Sequence, residues 1–398
     1  LYVANSTGEY IPFYEINDEI FLTDDVISKE IFDTECEYIK AVLSPTSIQV
    51  IRIFLLNKDE TPNLDISEYI LNDWNIDFEY GNGGIRSGNI NIVNIQNQWF
   101  PSPTCGTIWK GSKFKIFLGL VYSGIVYWSD CGIFVSGNPT IDNDKCIISL
   151  PLYDKFSLLD GTIGGKRATA FKIPTGMTVK NAISLCLNED KGNGEQYDYK
   201  SLIFPSEYLD NLTPYTITKD PNTCIGEIII ELAKMINCDV YYNVDGNLTI
   251  SKGAISNDDL NSFPILWSFK KGQYTLPVYD IKFDYVFNEI TVSGSIENGK
   301  QYSATITNNS PKSQMNIYMT EPNPLYIEDS NIIGNNNCEV RAKYEMIQQG
   351  RLGFQMKFQC IFIPHIKCNQ LITFGDNYLG FINETFIVNS ISFSNLSG

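Results

Sequence analysis

The chain has a single histidine, His365, among its 398 residues. A metal site built from several histidines is therefore impossible within one chain. A Ser-His-Asp or Cys-His centre would have to use that one ring. Charge is sparse too. Only 19% of residues are Asp, Glu, Lys or Arg, against 43% hydrophobic and 13% aromatic, the reverse of a disordered chain's balance. The charge present is acidic, 29 basic against 46 acidic residues, a net −17. No Lys/Arg-rich block interrupts it, which argues against stable nucleic-acid binding and against docking on anionic lipid. None of the cysteines at 36, 105, 131, 146, 186, 224, 238, 338, 360 and 368 forms a C-x-x-C pair. Spacing so scattered reads as buried free thiols. No apolar run reaches the ~20 residues of a membrane helix. The longest, Ile116 to Trp128, is broken by Gly119, Ser123 and Gly124 and reads as two adjoining strands. Leu1-Tyr2-Val3-Ala4-Asn5 shows none of the features of a signal peptide.

What the chain does contain is mostly β-structure. Short β-branched or aromatic runs alternate with Asn/Asp/Gly turns. They include Ile48 to Leu55, Phe114 to Val121, Ile125 to Trp128, Ile133 to Val135, Phe354 to Ile363, Leu371 to Phe374 and Phe386 to Phe393. Asp245-Gly246 and Asn298-Gly299 each sit between two such runs and predict hairpins, because both dipeptides tolerate φ > 0. Two helices are predicted. Val179, Ala182, Ile183, Cys186 and Leu187 follow helical spacing behind a Thr178 cap, with Gly192 and Gly194 as stops. Ile225, Ile228, Ile229, Leu232, Ala233 and Ile236 repeat the pattern, with Asn222 or Thr223 as cap and Asn237 at the end. A weaker helix is predicted from about Asn337 to Gln349, stopped by Gly350.

Candidate chemical motifs are weak. Gly161-Thr162-Ile163-Gly164-Gly165-Lys166-Arg167 is one residue short of a phosphate loop and has Arg in place of Ser/Thr, so an exposed loop is the better reading. Asn243-Val244-Asp245-Gly246 lacks the acidic ligands of a calcium loop. Cys360, His365 and Cys368 supply three potential zinc ligands where a structural site needs four. No spacing singles out a carboxylate pair for glycoside hydrolysis, and Asp130, Asp239 and Asp245 read as strand-end or turn residues. The sequons at Asn5, Asn211, Asn247, Asn308, Asn383 and Asn395 fit chance in an Asn-rich chain. Of Trp74, Trp99, Trp109, Trp128 and Trp267, Trp99-Phe100-Pro101 is the candidate exposed recognition loop. No catalytic residue, cofactor or metal ligand is assigned.

The order of elements resembles the hub proteins at the tail tip or baseplate of tailed bacteriophages and phage-derived tail particles. The likeness covers roughly residues 65–398. It starts with Ile76-Asp77-Phe78-Glu79-Tyr80, the turn at 89–93, the hairpin Lys113 to Trp128 and Cys131-Gly132-Ile133-Phe134-Val135. Tyr153-Asp154-Lys155-Phe156-Ser157-Leu158-Leu159 resembles the phrase leading into the family's middle domain. Its most specific part is the helix at 225–236 followed by Cys238 to Ile250 with a central Asp-Gly. Asn288 to Gly294, a helix near 342–347 and the closing strands resemble a second β module.

The resemblance implies a mainly β fold: two antiparallel β-barrel modules flanking a two-helix α+β unit. The expected domains are an unassigned segment 1–60, a first barrel 61–160, the α+β unit 161–265 and a second barrel 266–398. It further implies a non-enzymatic virion protein, assembled in the host cytoplasm. The protein would be a homotrimer adapting six-fold to three-fold symmetry. Its partners would be a tail tube or distal tail protein and tip, spike or tape-measure proteins. A receptor- or carbohydrate-binding tail-tip protein is the alternative, and a wall-degrading hydrolase the third reading.

Overall fold

The computed structural model describes residues 43–44, 48–95, 98–99, 108–192, 194–252, 263–281, 287–310, 316–318, 321–330, 332–350, 354–376 and 380–395, and the backbone of 2–4, 10–16 and 19–22. A 12-stranded sheet occupies the first part. Its strands are β1 (Tyr2–Ala4), β2 (Tyr10–Ile16), β3 (Glu19–Leu22), β4 (Ile48–Leu56), β5 (Pro62–Asp65), β6 (Trp74–Glu79), β7 (Arg86–Val93), β8 (Lys113–Tyr122), β9 (Ile125–Ser136), β10 (Thr140–Asp142) and β11 (Ile147–Asp154), with the twelfth arriving from the chain's end. The runs at 125–128 and 133–135 are one strand, interrupted by a bulge opposite Ile116 and Phe117, with Gly132 at φ = 94°. β9 carries β8 along one side. On the other it carries β3 at Val126–Trp128 and β11 at Phe134–Ser136. Alternation places Ile90, Ile92, Phe114, Ile116, Leu118, Phe134, Ile148, Leu150 and Leu152 in one core.

The middle unit comprises β12 (Phe171–Ile173), α1 (Val179–Asn188), β13 (Ile217–Lys219), α2 (Ile225–Met235), β14 (Cys238–Tyr242) and β15 (Leu248–Lys252). Both helices bury the predicted faces against each other and against Tyr242, Leu248 and Ile250. Thr178 caps α1, its hydroxyl accepting from Asn181 N at 3.3 Å. The N-cap of α2 is neither Asn222 nor Thr223 but Cys224, which gives no side-chain bond. Backbone carbonyls replace the missing cap. Ile225 N donates to Gly165 O at 2.9 Å and Gly226 N to Leu159 O at 2.8 Å. The Gly165 carbonyl is the contribution of the 161–167 loop. Arg167 is buried, ion-paired with Glu189 and stacked 4.2 Å over Phe171. Asn237, at φ = 53°, ends the helix as predicted.

The rest comprises β16 (Ile265–Phe269), β17 (Tyr274–Ile281), β18 (Glu289–Glu297), β19 (Lys300–Thr307), β20 (Pro324–Glu328), α3 (Asn335–Gly350), β21 (Phe354–Cys360), β22 (Leu371–Asp376), β23 (Phe381–Ile387) and β24 (Ser390–Asn395). β17 and β21 pair antiparallel with Ile281 opposite Phe354. Everything from β18 through α3 is thus an insertion between two paired strand ends. The insertion has its own small core, in which Cys338 and Ala342 of α3 sit on Ile290 and Val292 of β18. The remaining strands build an aromatic core of Trp267, Phe269, Phe358, Phe374, Phe381 and Phe386, which also receives Leu120 and Tyr127 from the distal end of the β8–β9 hairpin. β24 returns to the first sheet, pairing with β6 so that Asp77 lies opposite Ser392. Phe393 then enters the first core, 6.1 Å from Phe78 and 5.4 Å from Phe362.

The mainly β architecture with a small α+β part agrees with the sequence reading. The barrels do not: none of the described sheets closes. β5 pairs only with β4 and β24 only with β6, so these two terminal strands of the 12-stranded sheet share no ladder.

Candidate functional site

The units are joined by charge. Along β11, Ile148, Leu150 and Leu152 face the core at period two, and Asp154 continues that face. Its buried carboxylate accepts from Phe156 N at 2.8 Å, starting the 3-10 turn Lys155–Leu158. It also accepts from Arg86 Nη1 at 3.0 Å, and the same nitrogen donates to Tyr242 O on β14 at 2.8 Å.

The turn drives Lys155 into the interior, where its side chain is 2% exposed. Its ammonium lies 2.6 Å from Glu60 Oε1 and 3.0 Å from Asp198 Oδ2, and donates to Gly246 O at 2.7 Å. Lys113 and Lys200 also reach Glu60, at 2.6 and 3.1 Å. Tyr242 donates its hydroxyl to Asp198 at 2.7 Å. Burial alone would raise the Glu60 pKa. Lys155 and Lys113 outweigh it and hold the carboxyl below its ordinary value. The predicted Asp245-Gly246 turn is therefore a docking finger as well as a hairpin. Gly246, at φ = 79°, binds Lys155 through its carbonyl, and Lys115 donates to Val244 O at 2.6 Å.

A second junction centres on Asp239, which is 2% exposed. It accepts from the Tyr80 hydroxyl and from Asn82 Nδ2 at 3.0 Å, both in the β6–β7 loop. It also accepts from the Tyr344 hydroxyl at 2.9 Å and Gln348 Nε2 at 3.4 Å, both on α3. The loop adds to the edge of β14 as well: Val240 N donates to Asn82 Oδ1 at 2.8 Å and Gly83 N to Val240 O at 2.7 Å. One carboxylate thus joins first sheet, middle unit and insertion. Between insertion and middle unit lies a cleft of about 510 Å³, lined by Leu212, Tyr215, Ile230 and Met235 on one side and Ile332 and Val340 on the other.

The sequence candidates fare differently. Cys360 is exposed, Cys368 half-buried and His365 buried beside Trp267 at 5.9 Å. Among the described residues no three His, Cys, Asp or Glu side chains gather for a metal ion. Asp130 is ion-paired to Lys115 at 2.6 Å, and Asp245 offers its backbone carbonyl to Lys200. Trp99 is buried, contrary to its reading as an exposed recognition residue. Asn94 Oδ1 accepts from its backbone N–H at 3.1 Å and Tyr69 meets its ring edge-on at 5.2 Å, which turns it into the first core. Trp109 is the exposed tryptophan among those described. No described helix is long and apolar enough to cross a membrane. Asp239, which reads in sequence as an ordinary strand-end or turn residue, is a junction instead; Cys238, Asp239 and Val240 are all buried, so no alternation marks it out. The Asp154 signal was present in the period-two pattern of β11.

No protein-family model and no curated protein matches the sequence. Solved structures do match the fold. A tail protein from Neisseria meningitidis aligns over 87% of this chain and 91% of its own, with TM-score 0.54 and 13% identity. The 43 kDa tail protein of prophage MuSo2 from Shewanella oneidensis covers 87% and 94%, with TM-score 0.55 and 13% identity. Prophage tail protein gp18 from Listeria monocytogenes covers 86% and 90%, with TM-score 0.51 and 12% identity. The fold of this chain is the fold of these tail proteins.

Proposed function

We propose that the chain is a structural protein of a phage tail, the hub of a tail tip or baseplate. In this reading it joins the tail tube to distal tip components and acts without catalysis. The observation that carries it is the fold shared with three tail proteins, two of them from prophages, over 86–87% of this chain. The charged joints fit a load-bearing part. Breaking a buried ion pair is costly, and the geometry it fixes is directional. A trimer is the proposed state, with tube or distal tail protein on one side and tip, spike or tape-measure proteins on the other. The net charge of −17 suits a channel wall that lets nucleic acid pass without holding it. The test is mass measurement of the purified assembly together with pull-down against tube and tip proteins. A trimer that captures either is the expected result. A stable monomer that captures neither refutes the proposal.

A further inference from the structure

The insertion from β18 to α3 is tied to the body in an unusual way. It leaves and re-enters the chain at paired positions, Ile281 and Phe354. Its apolar core draws on insertion residues alone, while the middle unit's core contains none of them. Among the described residues, no shared hydrophobic cluster therefore welds the two. What lies between them is the cleft, with Tyr215, Ile230 and Met235 on the body facing Ile332 and Val340 on the insertion. Among the described residues, the hydrogen bonds that cross from α3 to the middle unit both end on Asp239, from Tyr344 at 2.9 Å and Gln348 at 3.4 Å. Asp239 itself is anchored independently by Tyr80 and Asn82 of the first sheet.

We propose that the elements from β18 through α3 form a movable arm, latched beside the cleft by Tyr344 and Gln348 on the fixed Asp239 carboxylate. Such an arm needs separate cores, a gap between them and a small polar catch, all of which are present whether or not the chain is a tail hub. Opening strips two donors from Asp239 but leaves it two others, so the buried carboxylate is not orphaned when the arm swings. The insertion keeps its own core in both positions.

Hydroxyl-radical footprinting of the full chain, read by mass spectrometry, tests this. Tyr344→Phe combined with Gln348→Ala removes the catch while keeping the aromatic ring. Hydrogen bonds to a charged acceptor are strong enough that losing them raises the open fraction roughly tenfold or more. Met235 and Tyr215, in the cleft, should oxidise several-fold faster. Met346, packed in the insertion's own core, should not change. Tyr80→Phe, which removes a donor on the far side of Asp239, should leave Met235 as in the parent protein. Unchanged oxidation of Met235 and Tyr215 in the double variant overturns the proposal. So does a matching rise at Met346, which would mean unfolding instead of swinging.

Discussion

Replacing Lys155 by methionine gives the sharpest test of the charged joint. Methionine keeps most of the apolar stem, so the change isolates the ammonium. That ammonium holds Glu60 at 2.6 Å, Asp198 at 3.0 Å and Gly246 O at 2.7 Å. The two carboxylates do not suffer equally. Glu60 keeps Lys113 at 2.6 Å and Lys200 at 3.1 Å. Asp198 keeps the Tyr242 hydroxyl at 2.7 Å and the Lys200 backbone N–H at 3.0 Å. Neither of these carries a charge, so the loss falls on Asp198. Removing one member of a buried pair costs about 3–5 kcal/mol. The retained hydrogen bonds on Asp198 place the expected value at the lower end, about 3 kcal/mol. Urea unfolding of Lys155→Met, Asp198→Asn and the double variant measures it. The double variant removes the orphaned anion together with its partner. It should therefore be more stable than the two single losses summed, by about 1–3 kcal/mol of coupling. A single-variant cost below about 1 kcal/mol, or strict additivity, refutes the reasoning.

Two further outcomes are expected. Burial lowers the pKa of His365 to about 3, so its ring stays neutral in the fold while the unfolded chain takes up a proton near pH 6.5. The native state binds fewer protons in that window. Stability should therefore fall by about 1.4 kcal/mol per pH unit as pH drops from 6.5 towards 3, and His365→Leu should remove that part of the slope. An unchanged pH–stability profile in the variant counts against it. Phe393→Ala should cost about 3–5 kcal/mol in urea unfolding, because the ring is buried where the last strand enters the first core. A cost under about 1 kcal/mol would mean that β24 is a passive edge.

The parts of the fold visible in the sequence are those fixed by neighbours. Asp245-Gly246 and Asn298-Gly299 turn where their local φ preference says they must, and Gly246 and Gly299 both sit at φ = 79°. The α1 and α2 faces follow from spacing alone. What stayed hidden depends on distant partners. The Asp239 donors lie 105 and 159 residues away at Tyr344 and Tyr80, so no window around 239 contains them. Trp99 is buried by Asn94 and Tyr69. Aromatic loop composition cannot distinguish that from exposure. The 161–167 loop looked like a failed phosphate site, and its Gly165 carbonyl turned out to serve the start of α2, a use that side-chain motifs do not encode. Asp154 was readable, since the alternation of β11 points it inward, but its Arg86 partner on β7 was not.

The return of β24 to β6 also bears on how the protein is made. Asp77 meets Ser392, 315 positions further along the chain. At the roughly 5–20 residues per second of translation, β6 waits about 15–60 s on the ribosome for its last neighbour. Through that interval it offers an unpaired strand edge, and the place for Phe393 in the first core stands empty. A polypeptide cut short anywhere before β24 keeps that exposed edge, the state on which surveillance proteases and chaperones act. Only a chain translated through β24 covers that edge and fills the place of Phe393.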